Sequence, residues 1–160
     1  MPDRKDNAEL AERIARFLDA NHVVSLATSG PSGPHAVNLL YARDGLSLIW
    51  VSDPATRHSR ELDADSRVSA TVAPDTSDFT VIRGVQMTGS ARRVADESER
   101  DKLLEKLKQR YPFLARLDAA PANLAAAYKS AGIYRLDPHR IVLIDNTLGF
   151  GHKDTLVIAD

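Results

Sequence analysis

The sequence predicts a mainly β protein, a small antiparallel barrel of about six strands with helices at its edges. Three observations carry that expectation. Short runs of β-branched and apolar residues recur along the 160-residue chain, among them HVVSLAT, HAVNLLY, LSLIWVS and RVSATVA. Asp44-Gly45 separates two of these runs in the way a hairpin turn does. Strands and helices do not alternate regularly, which counts against a parallel, doubly wound sheet.

The elements follow in order. Residues 7–20 read as a helix, with Leu10, Ile14, Phe17 and Leu18 at helical spacing and Asn21 as its C-terminal cap. Strands are expected over 22–28, 35–41 and 46–52, with a loop through Ser29-Gly30-Pro31-Ser32-Gly33-Pro34. A loop and a short helix fill 53–65, and a strand covers 67–73. The longest strand, 79–94, places Phe79, Val81, Val85, Met87 and Ala91 on one face and Thr80, Gly84, Gln86, Thr88 and Ser90 on the other. Helices are expected over 95–111 and over 121–130, the second with Pro121 in its first turn and Gly132 beyond its end. A strand over 133–144, broken near Pro138, leads to a loop over 145–154 and a last strand over 155–159. The barrel thus spans about 22–145. No repeat or linker interrupts it, so 1–160 reads as a single domain.

Composition narrows the function. Hydrophobic residues make up 43% and charged residues 27%, as in an ordinary globular protein, and the net charge of −1 gives no general grip on nucleic acid. With no cysteine there is no disulfide, thiol nucleophile or thiolate metal site. The first ten residues, MPDRKDNAEL, lack the apolar segment of a secretory signal, and no apolar run approaches the roughly 20 residues that span a bilayer. The expected address is the cytoplasm, with no membrane partner. Gly149-Phe150-Gly151 lacks the third glycine of a dinucleotide fingerprint. The prolines beside Ser29 and Ser32 oppose a nucleophile elbow. The histidines at 22, 35, 58, 139 and 152 show no metal-ligand spacing. Hard chemistry is then left to an organic cofactor acting on a small molecule.

Three constellations remain. Asp53-Pro54-Ala55-Thr56-Arg57-His58 opens a short helix. Either it forms a phosphate cradle from helix N–H groups, a hydroxyl and basic side chains, or it simply caps the helix with Arg57 and His58 in water. Gln86, beside Gly84, either meets the edge of a flat heteroaromatic ring or faces solvent, and Asn38 poses the same choice within an apolar strand. The segment DNTLGFGHK at 145–153 is either a turn with one tucked phenylalanine or a loop that brings Phe150 and Lys153 over a ligand.

HVVSLAT, HAVNLLYARDG, Thr56-Arg57-His58, IRGVQMTG, Tyr111-Pro112-Phe113 and DNTLGFGHK, in this order and over most of the chain from residue 22, resemble the split-barrel, FMN-binding superfamily of pyridoxamine 5'-phosphate oxidase. Within it the sequence is similar to the YhbP-like branch. The resemblance implies a six-stranded antiparallel split barrel that binds flavin mononucleotide (FMN) between two subunits of a homodimer. It assigns Thr56, Arg57 and His58 to the FMN phosphate and Val51 and Ser52 to cofactor contact. A glutamine of the oxidase falls at Gly84, with Gln86 on the same face standing in. It further implies that Asn38, Ser52 and Gln86 meet ribityl or ring atoms and that Phe150 and Lys153 reach in from the partner. The oxidase's second-strand arginine and lysine have no counterpart in Ala36 to Tyr41, and its substrate-orienting C-terminal pattern is absent. The expected activity is therefore a flavin-dependent oxidoreductase without a named catalytic acid or base. A flavin carrier or sensor, and a haem or deazaflavin protein with His58 or His152 as axial candidates, are the alternatives.

Overall fold

The computed structural model describes residues 4–158. Helix α1 (Arg4–Ala20) turns Leu10, Ile14 and Leu18, spaced one turn apart, into the core. Asn21 ends it by donating its amide N–H to the carbonyl of Phe17. Strands β1 (Val23–Gly30) and β2 (Gly33–Leu40) pair along their whole length, so the expected six-residue loop shrinks to a turn at Pro31-Ser32. Strand β3 (Ala42–Asp44) then pairs with β4 (Ser47–Ser52) across the anticipated turn, where Gly45 takes φ +62°.

Helix α2 (Arg57–Ala64) follows β4, and β5 (Arg67–Val72) leads towards β6 (Arg83–Arg93). The long strand expected from residue 79 starts later, because Phe79–Val81 form a 3₁₀ turn capped by the Asp78 carboxylate. Helix α3 (Glu97–Arg110) begins at Asp96, whose carboxylate accepts from the N–H of Glu99. An unanticipated 3₁₀ segment (Pro112–Ala119) connects it to α4 (Ala122–Ser130). Strand β7 (Gly132–Asp145) is continuous through Pro138 rather than broken. Pro138, lacking an N–H, is accommodated by a register shift opposite Thr88 and Gly89, which leaves His139 without a partner on β6. The tail closes with a 3₁₀ turn (Asn146–Leu148) and β8 (Lys153–Val157), two residues earlier than expected; Ala159 lies outside the described residues.

Among the described residues the sheet has eight strands rather than a barrel of about six. The unexpected piece is β3, split from β2 at Tyr41; the expected tail strand, β8, joins the sheet by pairing with the second half of β7. The order β2-β1-β5-β6-β7-β4-β3 puts β2 and β3 at opposite edges of the sheet, although only Tyr41 separates them in the chain. One residue cannot span a flat sheet, so the sheet must curl until its edges meet. Tyr41 is fully buried at the seam; its N–H bonds to the carbonyl of His22, and its hydroxyl donates to that of Leu18. This is a half-open, split barrel with helices at its flanks.

Two apolar clusters follow from the alternation of each strand. Inside lie Val24, Leu26, Leu48, Trp50, Ala70, Met87, Tyr134 and Ile141, with Trp50 stacked on Tyr134. Outside the β3-β4-β7 wall, Ile49, Ile133 and Ala42 meet Leu103 and Leu107 of α3. No helix among the described residues is long and apolar enough to cross a membrane.

Candidate functional site

Where β4 ends and α2 begins, several polar side chains gather at one end of the barrel. Alternation turns Trp50 inward, Val51 outward and Ser52 inward. The Ser52 hydroxyl lies 2.7 Å from Nε2 of His58, which is only 5% exposed. Thr56 is the N-cap of α2: its hydroxyl accepts from the N–H of Ser59 and donates to the carbonyl of Asp53. The same oxygen sits 3.2 Å from His58 Nε2 and 2.8 Å from the Ser59 hydroxyl. Three hydroxyls and one imidazole thus share a hydrogen-bonded nest beside a helix start, whose first N–H groups have no intrahelical acceptor.

Arg57, the first residue of α2, reaches Glu61 and the β1–β2 hairpin. Its Nε donates to Glu61 at 2.7 Å and its Nη2 to the carbonyl of Gly33 at 3.1 Å. Glu61 also accepts from the buried Thr28 hydroxyl at 2.6 Å. These bonds from Thr28 and from Arg57, in that order of weight, hold the Glu61 carboxyl below the ordinary range, so it is ionised at neutral pH. Burial, and next the neighbouring His35, hold His58 below the usual histidine value. The His58 ring is therefore neutral at pH 7. Its sequence offers no such hint: a histidine at the start of an eight-residue helix reads as solvated until α2 is seen lying on β1.

That depression sets an expected pH dependence. An unfolded chain protonates His58 as pH falls through about 6.5, while the folded chain resists, so the stabilisation is present above that pH and is lost as pH falls below it. The thermal midpoint of the wild type is expected to fall between about pH 7 and pH 5.5 more steeply than that of His58→Gln. Parallel slopes in scanning calorimetry would remove His58 as the cause.

The other residues singled out from the sequence lie elsewhere on the chain. Val51 packs outward towards α3 and α4, away from the Ser52 nest. Asn38 and Gln86 point from the outer face of the sheet, joined in one cross-strand row through Ser25 and Thr71. The Ser25 hydroxyl donates to the Asn38 amide at 2.7 Å. Gly84 shares that face. Phe150 is 85% exposed in the turn between Gly149 and Gly151, edge-on to Phe79, and Lys153 opens β8 in the open. Asn146 ties the two turns together, donating to the Phe79 carbonyl and accepting from the N–H of Gly151. Of the axial candidates, His58 Nε2 is committed to Ser52 and Thr56, and His152 pairs with Asp154 at 3.2 Å. Among the described residues no cluster of three His, Cys, Asp or Glu could hold a metal.

Sequence reasoning passed over Thr28, His35, Ser59, Glu61 and Arg93. Thr28 and Glu61 meet across 33 residues of chain, whereas Ser59 bonds to Thr56 and Ser52, three and seven residues back. Arg93 crosses Gly132, the strand partner of Ser52, so closely that a Cβ there would stand 2.9 Å from its Nε and the side chain would have to move.

A comparison of the chain with protein families decides its kinship: the profile described as pyridoxamine 5'-phosphate oxidase matches residues 10–145. The chain belongs to the pyridoxamine 5'-phosphate oxidase family. Within that family it is similar to UPF0306 proteins. One from Klebsiella pneumoniae is 30% identical over 147 residues, covering 91% of each chain. The YhbP protein of Escherichia coli O157:H7 is 29% identical over the same length and shares. Among solved structures of this fold, a FAD-binding protein from Mesorhizobium loti superimposes with a TM-score of 0.62 at 22% identity, over 82% of this chain and 91% of that one. A haem-binding protein from Mycobacterium smegmatis gives 0.65 at 24%, over 92% of this chain and 57% of that one. At such identities both likenesses establish the split-barrel fold alone.

Proposed function

We propose that this protein binds FMN at the interface of a homodimer and acts as a flavin-dependent oxidoreductase on a small molecule. The observation that carries the reading is the nest at the β4–α2 junction on a chain of this family. Hydroxyls of Ser52, Thr56 and Ser59, the start of α2 and the Arg57 guanidinium form a donor set suited to a phosphate. Bound flavin would supply hydride or electron transfer. The chain's own part is to hold the phosphate at Thr56, Arg57 and His58, to keep Ser52 turned towards it, and to exclude water. Asn38 and Gln86, with Gly84 beside them, offer amides to the ring or ribityl chain, and the backbone at Val51 flanks the cradle.

The amide row and the nest lie on different faces of one protomer, so a second copy must complete the site. Phe79, Val81, Ile82, Leu148 and Phe150 support that arrangement: they are 40–85% exposed on adjoining turns, an apolar patch that a partner would cover. Phe150 and Lys153 would then reach the ligand of the other subunit.

Fluorescence titration of the purified protein tests this reading. FMN should bind saturably, and Thr56→Val with Arg57→Ala should weaken it by about a hundredfold, two charge-assisted contacts at 1–3 kcal/mol each. Light scattering should report a dimer. Absence of saturable FMN binding would remove the proposal; bound flavin that no nicotinamide donor reduces would leave a carrier.

A further inference from the structure

We infer that Glu61 is a counter-charge built into the phosphate cradle, lowering its affinity for phosphate-bearing ligands relative to their uncharged counterparts. This rests on the flavin reading above and concerns the specificity of the same site. Three features argue that the carboxylate is part of the cradle's design rather than an incidental surface ion pair. The Glu61 side chain is 9% exposed, against 40% for Arg57. Both its oxygens are taken, one by Arg57 Nε at 2.7 Å and the other by the Thr28 hydroxyl at 2.6 Å. The end of the β1–β2 hairpin is shaped around it: a Cβ at Gly30 would fall 2.6 Å from Oε1 and 2.8 Å from Cγ of Glu61.

The consequence is electrostatic. Arg57 is the cation that α2 brings to the cradle, and its guanidinium spends Nε on a carboxylate and Nη2 on the Gly33 carbonyl. A phosphate dianion approaching Arg57 gains its remaining donors but is repelled by the charge behind it. An uncharged head group, such as the terminal hydroxyl of riboflavin, meets no such repulsion and loses nothing by its presence. Glu61 thus blunts the cradle's discrimination between a phosphorylated flavin and one of low head-group charge.

Two roles for Glu61 predict opposite outcomes. A positioning residue that aims Arg57 would weaken FMN binding when lost; a counter-charge would strengthen it. Glu61→Gln keeps the shape and an acceptor for Arg57 while removing the charge. Titration of wild type and variant with FMN and with riboflavin, at one pH and salt concentration, should show FMN tightened about tenfold and riboflavin changed less than about twofold. The pair Arg57→Met and Arg57→Met with Glu61→Gln is more discriminating, because no guanidinium is left to position. The double variant should again bind FMN about tenfold more tightly than the single one. For wild type alone, the phosphorus resonance of bound FMN should titrate no lower than the free ester, near pH 6. Unchanged or weaker FMN binding in both Gln variants, or a bound-phosphate titration well below pH 6, overturns the inference while leaving flavin binding intact. Failure of the wild type to bind FMN or riboflavin at all overturns the flavin reading, and this inference with it.

Discussion

Gly89→Ala is expected to remove about 4 kcal/mol or more of folding stability, enough to lower the thermal midpoint by roughly 10 °C. A Cβ at this position would stand 2.2 Å from the Asp137 carbonyl oxygen and 2.8 Å from the Pro138 Cα. Both are backbone atoms of the adjoining strand, so no rotamer change relieves the overlap. The approach is close because β6 and β7 slip register between Thr88 and Gly89, where Pro138 cannot donate to the ladder. Gly84→Ala, five residues earlier on the same strand, is the control. Its Cβ would lie 3.4 Å from the Val72 carbonyl, an ordinary contact, and the change should cost under about 1 kcal/mol. Chemical denaturation of the two variants reads the difference; equal midpoints would show that the bulge relaxes freely.

Arg110→Ala should cost about 2–3 kcal/mol, through lost charge-assisted hydrogen bonds and a lost helix cap. The guanidinium reaches 92 residues back in the chain to the end of α1, donating to the carbonyls of Leu18, Asp19 and Asn21. It also lies 5.4 Å from the ring centre of Tyr41 and 5.8 Å from that of Tyr111. Arg110→Lys keeps one charge but neither the fork nor the stacking plane, and should recover less than half of the loss. Full recovery by lysine in urea titrations would mean that charge alone holds α1 in place.

These two residues also mark what could and could not be read from the sequence. The amphipathic spacing of Leu10, Ile14 and Leu18, the Asp44-Gly45 hairpin and the alternation of β5 are local, period-driven signals, and each element formed, although α1 starts at Arg4 rather than at residue 7. Arg110 ends a helix with nothing local to mark it out, since its acceptors are three carbonyls far away in the chain. The slip at Gly89 was equally hidden: a lone glycine in a strand announces close approach without naming the neighbour. At the candidate site, a cap for α2 at Asp53 or Thr56 was legible because capping is a short-range rule, and the structure puts it at Thr56; Ser52 was singled out only through the family resemblance. The burial of His58 and the bonds from Thr28 to Glu61 and from Arg57 to the Gly33 carbonyl were not, because they arise only when α2 settles on β1 and β2; the Arg57–Glu61 pair itself is one helical turn long.

The seam at Tyr41 has a mechanical corollary. Covalent linkage joins the sheet's two margins at the Leu40 end of β2, and the tyrosine is riveted there to residues of α1 and to the Tyr111 hydroxyl. The Gly33 end lies roughly 23 Å away along the strand, and it is the end that Arg57 holds. The barrel therefore resembles a bracelet with its hinge at one tip and its clasp at the other. An occupant of the proposed cradle would therefore add its contacts at the clasp, the tip that no covalent link closes.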